Sequence, residues 1–156
     1  MREFFLAQMD YIFFIYGLAF ILLFSSCFSL QKQHKTQLPW NWLGAFGLIH
    51  GINEWLDMLA LSLGDNDPFK WVRIVVMGVS FVCLFEFGRL ACRQLKCIRT
   101  GRWIYIPLCL SVLSEASLGL SGVNAVIRYA FGFTGGSLAA LALWRISKET
   151  KEGSRS

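Results

Sequence analysis

An all-α, polytopic transmembrane bundle of about five spans is the fold class that this sequence predicts, and three observations carry it. The 156 residues are 55% hydrophobic and 16% charged, with a mean hydropathy of +0.50; a water-soluble domain carries nearer a quarter charged residues. The apolar residues gather into five stretches of about the 20 residues that a bilayer crossing needs. The positive charges fall almost entirely on alternate connections between those stretches. Fourteen Phe and six Trp also exceed what a soluble core of this length would hide.

The N-terminus, MREFFLAQMD, has one basic residue, Arg2, beside Glu3. No small-residue cleavage site follows, so the next apolar run reads as a retained span and not a secretory leader. That first span is Tyr11–Leu30, with no charge. The second opens at Pro39, a residue suited to a first helical turn, and runs to about Leu63. The third covers Trp71 to about Leu90, and the fourth Trp103–Leu120. The fifth, 123-VNAVIRYAFGFTGGSLAALALWRI-146, is interrupted by Arg128 and holds Gly132, Gly135 and Gly136, where it is expected to bend. Residues 123–131 either span or lie on the interface. Residues 1–146 then form one membrane bundle and 147–156 a loose polar cytoplasmic tail.

With five spans, Lys32, Lys35, Arg89, Arg93, Lys96, Arg99, Arg102, Arg145, Lys148, Lys151 and Arg155 fall on one side. Arg2, Lys70, Arg73 and Arg128 fall on the other, with Asp65 and Asp67. The positive-inside rule sets the N-terminus outside and the C-terminus in the cytoplasm. Trp40, Trp42, Trp103, Tyr105 and Trp144 then lie at inner boundaries, and Tyr11 and Trp71 at outer ones, the depths that amphipathic rings prefer. Charge confined to short loops is a topology signal, so the net charge of +5 does not indicate nucleic-acid binding.

The second span is the anomaly. Within 47-GLIHGINEWLDMLAL-61, His50, Glu54 and Asp57 follow an i, i+4, i+7 spacing that puts them on one helix face, with Asn53 beside them. Depth places Arg73, Glu115 and Arg128 in the outer halves of their own segments. An ionisable side chain at the bilayer centre costs roughly 2.5–3.5 kcal/mol on insertion scales, so such groups face the bundle interior and pair. Two readings stand side by side. The arginines neutralise the carboxylates and lock the helices, or His50, Asn53, Glu54, Asp57, Arg73, Glu115 and Arg128 line an outward-facing site for a ligand, ion or proton.

Other motifs are weaker. Glu86 precedes Arg89 by three residues, the spacing of a structural ion pair. Gly47–Gly51 and Gly132–Gly136 match GxxxG, which permits close helix approach. His34 lies in a basic loop. A metal would draw on His50, Glu54, Asp57 and Glu115, but there is no HExxH, no Glu-x-x-His pair and no second histidine in a span; a bis-histidine haem would need a homodimer sharing His50. Of the five cysteines, Cys27, Cys83 and Cys109 lie in apolar runs, and Cys92 and Cys97 in a basic loop assigned to the cytoplasm, where thiols stay reduced. CRQLKC has no second ligand pair with which to hold a metal. P-loop, GxSxG, dinucleotide-binding and kinase motifs are absent, so the chain is not expected to be an enzyme by itself.

Four stretches, 12-IFFIYGLAFILL-23, 45-AFGLIHGINEWLDM-58, 84-LFEFGRL-90 and 127-IRYAFGFTGGSLAA-140, together resemble the multi-pass N-terminal sensory region of some bacterial sensor histidine kinases and diguanylate cyclases. The resemblance covers most of residues 11–145, and its second stretch is the most specific. It implies signal perception in the bacterial inner membrane, with a cytoplasmic kinase or cyclase output domain as partner. His50, Asn53, Glu54, Trp55, Asp57, Glu86, Arg89, Arg128 and Tyr129 lie in the matching stretches; no ligand or cofactor is implied. The 156 residues carry no histidine-kinase core and no GGDEF-type motif, so on this resemblance the chain is a signal-input module lacking its output domain. The alternative is a small transporter, proton channel or metal- or haem-binding membrane protein using the same polar face. The expected surroundings are the lipid bilayer, with a homodimer as an open question.

Overall fold

Hydrophobic stretches of this length, with few breakers inside them, leave the backbone one economical choice: each segment satisfies its own hydrogen bonds as a helix. The computed structural model describes residues 8–33, 38–97, 101–115 and 119–153, and every regular element among them is helical. Arg2, Lys35, Arg99 and Arg155, which belong to the charge pattern above, and His34 of the basic loop lie outside the described residues.

Helix α1 is Met9–Gln33, with Asp10 in its first turn and Lys32 in its last, the charge order that suits the helix dipole. Helix α2 is Trp40–Leu63 and begins directly after Pro39. Gly64, at φ +91°, then reverses the chain. Asn66 caps helix α3, Asp67–Gln94, by accepting a hydrogen bond from the Phe69 amide at 3.0 Å, with Pro68 in the first turn. A 3-10 turn at Arg102–Ile104 leads into the short helix α4, Tyr105–Glu115. Helix α5, Leu120–Val126, continues through a π-helical stretch, Ile127–Phe133, into helix α6, Thr134–Gly153.

The packing order is α1 on α2, α2 on α3, and α3 on the π stretch and α6, so α3 is the central helix. Glycines set the first of these contacts. A Cβ at Gly47 would meet the Phe20 carbonyl at 2.8 Å, and one at Gly51 the Gly17 carbonyl at 2.9 Å. The second GxxxG match works differently from its pattern. Gly135, and not Gly136, takes the close position: its Cβ would lie 2.9 Å from the Phe85 backbone, whereas Gly136 faces open space. Gly88 answers it from α3, where a Cβ would meet the Ala139 amide at 2.9 Å. Phe85, Phe87, Ala91 and Cys92 of α3 are wholly buried at this level.

Among the described residues, three helical segments are long and apolar enough to cross a membrane: Met9–Lys32, Asp67–Gln94 and Leu120–Glu149. Helix α2, at 24 residues, has the length, and His50, Asn53, Glu54 and Asp57 dilute the apolar run. The region Trp103–Leu120, expected as one span, holds α4 of 11 residues, about 16 Å at 1.5 Å per residue against a hydrocarbon core of about 30 Å. Residues 116–118 lie outside the described ones. At the C-terminus the backbone stays helical to Gly153, where a loose tail from 147 was expected. The glycines at 132–136 do not break the last helix; the irregularity is the π stretch, and the Thr134 hydroxyl donates to the Ala130 carbonyl where it ends. Phe14, Leu22, Val75, Leu110 and Phe133 are among the large apolar side chains left exposed, a surface that suits lipid and not water.

Candidate functional site

The reversal at Gly64 makes α2 and α3 antiparallel, so a residue six before Leu63 comes level with one six after Asp67. Those residues are Asp57 and Arg73. Arg73 Nη1 donates to Asp57 Oδ1 at 2.7 Å, and its Nη2 donates to Asp65 Oδ2 at 2.9 Å. Both lie about 9 Å along the axis from their helix ends, at 1.5 Å per residue. Asn53, one turn earlier on α2, donates through Nδ2 to Asp57 Oδ2 at 3.3 Å. Arg128, from the π stretch, closes the far side and donates through Nε to Asn124 Oδ1 at 2.9 Å.

These side chains line a cleft of about 30 Å³ among Asn53, Asp57, Arg73, Ile74, Met77, Asn124 and Arg128. A water needs about 10–15 Å³ on this measure, so one or two waters, or one small polar group, would fill it. Two buried atoms at the cleft residues have no hydrogen-bond partner: Asn53 Oδ1, an acceptor, and Arg73 Nε, a donor. Asn53 is only 2% exposed. The Asp57 carboxylate needs a donor from Asn53, so the amide orientation is fixed and its oxygen is left over. Leaving a buried polar group unmatched costs about 1–3 kcal/mol, and one such acceptor and one such donor belong to residues that line the cleft.

His50 lies deeper, within a cage of Phe20, Phe46 and Phe81 whose ring centroids are 4.6, 5.1 and 5.1 Å from its own. Its Nδ1 is 2.9 Å from Ser80 Oγ, and its Nε2 is 3.5 Å from Glu54 Oε1. The Ser80 hydroxyl donates to the Met77 carbonyl at 2.6 Å. Ser80 Oγ therefore accepts from His50, and the proton of the imidazole sits on Nδ1. Nε2 is left facing the Glu54 carboxyl.

Of the seven residues singled out in the sequence, Asn53, Asp57, Arg73 and Arg128 meet in the cleft, and His50 pairs with Glu54 one turn further along α2. Glu115, at the end of α4, does not join them: among the described residues it neither lines the cleft nor forms an ion pair. Glu115 is the last described residue of α4, which packs on α5 and the π stretch. Sequence reasoning missed Asp65, Ser80 and Asn124. Asp65 was assigned to the loop and is reached only because Arg73 is long. A serine inside an apolar helix carries no signal of its own, since serines often bond their own backbone, as Ser26 does to the Leu22 carbonyl.

Toward the other end of α3, Arg89 holds Glu86 through two bonds, Nε to Oε2 at 2.7 Å and Nη2 to Oε1 at 2.5 Å. The Tyr105 hydroxyl of α4 donates to the same Glu86 Oε2 at 2.5 Å. Arg89 is 3% exposed. Tyr105, read from sequence as a boundary aromatic, is thus the tie between α4 and α3.

Among the described residues no group of three or more His, Cys, Asp or Glu side chains is placed to hold a metal ion. The chain matches no protein-family model, and no curated protein sequence or solved structure is significantly similar to it.

Proposed function

We propose that the chain is a membrane-embedded signal-input module, a bacterial inner-membrane bundle of about five spans with its N-terminus outside and its C-terminus cytoplasmic. The observation that carries this is the cleft at Asn53, where a fully buried acceptor and a buried guanidinium N–H lie unmatched between three helices. A small polar stimulus there gains hydrogen bonds in one helix arrangement and loses them in another, and only such a difference shifts an equilibrium. The π stretch lies at the same place. Wide turns of this kind are frequent at functional sites, and relaxation of Ile127–Phe133 to α geometry would turn α6 against α3. Helix α6 leads away from the cleft toward the end at which an output domain would attach.

The polar face also suits conduction or transport, but the packing favours sensing. The polar groups run from Asp65 through Arg73, Asp57, Asn53 and Glu54 to His50, and there the cage of Phe20, Phe46 and Phe81 closes the path. A proton or ion would have to cross that aromatic layer.

The test joins the chain to a histidine-kinase core or a diguanylate cyclase domain and measures autophosphorylation or cyclic dinucleotide. Asp57→Asn and Glu54→Gln are expected to change output several-fold with membrane insertion intact. Unchanged output in both variants sinks the cleft as an input site. A reporter fused at the C-terminus and found outside the cytoplasm sinks the orientation.

A further inference from the structure

Cys92 and Cys97 are five residues apart, and on an uninterrupted helix that spacing points side chains to different faces, about 140° apart at 100° per residue. The helix does not continue. Helix α3 ends at Gln94, and the Cys97 amide bonds back to the Cys92 carbonyl at 2.9 Å while the Lys96 amide bonds to the Arg93 carbonyl at 3.2 Å. That pair of bonds is the Schellman motif, and it brings the first and last residues of the wrap side by side. The positions whose side chains touch in this motif are the ones that carry the two cysteines.

The turn is also held in an unusual way. The motif needs a left-handed residue next to last, normally glycine. Here it is Lys96, at φ +53°, the only non-glycine with positive φ among the described residues. Cys97 is partly exposed, and Cys92 is wholly buried, its Sγ donating to the Leu138 carbonyl of α6 at 3.4 Å. One thiol is thus open to solution, and the other waits beneath it against a neighbouring helix.

We infer that Cys92 and Cys97 form a peroxide-oxidisable dithiol, closing to a disulfide across the end of α3. The Cys97 sulfur takes one oxygen from hydrogen peroxide, the O–O bond breaks, and water leaves, giving a sulfenic acid. The Cys92 sulfur then attacks the Cys97 sulfur. The S–S bond forms, the S–O bond breaks, and the Cys92 proton departs with the hydroxyl as a second water. Two thiols have lost two electrons and the peroxide has gained them. The new bond takes Cys92 Sγ from the Leu138 carbonyl, so oxidation at the end of α3 is felt by α6. None of this depends on what the cleft binds.

The full chain in membranes is exposed to hydrogen peroxide, quenched, denatured and alkylated, and its peptides are mapped. All five cysteines are free at the start, so alkylation is expected to fall from five sites to three. Trypsin cuts after Arg93 and after Lys96, so only a bridge keeps the Cys92 and Cys97 fragments together, and that linked pair is the expected product. Cys97→Ser should keep all of its four remaining thiols alkylatable. Lys96→Pro, whose ring cannot take a positive φ, should lose the linked pair while keeping both cysteines. Five alkylated cysteines after peroxide, a Cys97 driven to sulfinic acid beside a free Cys92, or equal thiol loss in Cys97→Ser would each overturn the assignment.

Discussion

Two arginines sixteen positions apart on α3 are finished in opposite ways. Arg89 meets Glu86 through two parallel bonds, with Tyr105 on the same carboxylate, and no buried side-chain atom of this cluster is left unmatched among the described residues. Arg73 divides itself between Asp57 and Asp65, leaves its Nε without a partner, and sits beside an Asn53 oxygen in the same condition. The residue types are alike, so type alone does not tell a lock from a site. The difference is in the accounting: a closed cluster fixes helices, whereas a cluster with one donor and one acceptor left over keeps hydrogen-bonding capacity that the protein itself does not use.

The closed cluster carries the largest expected effect. Arg89→Met strips Glu86 of both its charge partner and two bonds, and breaking a buried pair from one side costs about 3–5 kcal/mol. Thermal unfolding of the purified protein in detergent should show a large drop for Arg89→Met. A drop no greater than that of an exposed change such as Arg145→Met would dissolve the contrast between lock and site.

Packing gives the next test. Gly135→Ala forces a methyl to 2.9 Å from the Phe85 backbone, an overpacking of the kind that costs about 1–3 kcal/mol. Gly136→Ala adds its methyl to open space and should stabilise by about 0.5–1 kcal/mol, the usual gain of alanine over glycine within a helix. Equal unfolding temperatures for the two variants would mean that α6 meets α3 through another face.

Much of this was legible in the sequence, and the reasons are physical. Helical segments were read from apolar runs because a chain that cannot bond to water must bond to itself. The second apolar segment gave up His50, Asn53, Glu54 and Asp57 because polar and ionisable residues within an apolar run must find partners. The sequence was silent where a partner depends on the register between helices. Nothing in residue type tells that His50 meets Ser80, that Tyr105 reaches Glu86, or that Gly135 is the tight glycine and Gly136 the free one. Nor did it reveal that the chain wraps back after Gln94, since Lys96 stands where a glycine would have announced the turn. Glu115 stays out of the cleft for a related reason: depth along the hydropathy segment Trp103–Leu120 does not tell which neighbours a helix packs on, and α4 packs on α5 and the π stretch.

The smallest expected change in stability is the sharpest test of the open cluster. Asn53→Leu keeps roughly the same volume, loses one bond of 3.3 Å to Asp57 and removes an unmatched buried acceptor. An ordinary hydrogen bond contributes about 0.5–1.5 kcal/mol net, and an orphaned acceptor costs a similar amount or more. The two terms oppose each other, so stability should stay within about 1 kcal/mol of the parent, read as a small shift in unfolding temperature. Output from a fused kinase or cyclase domain should nonetheless change, because the atom removed is the one that an occupant would contact. If Asn53 were a mere strut, the substitution would leave signalling as it was. If it destabilised the bundle as Arg89→Met does, the cleft would be a second lock, and the difference between the two ends of α3 would vanish.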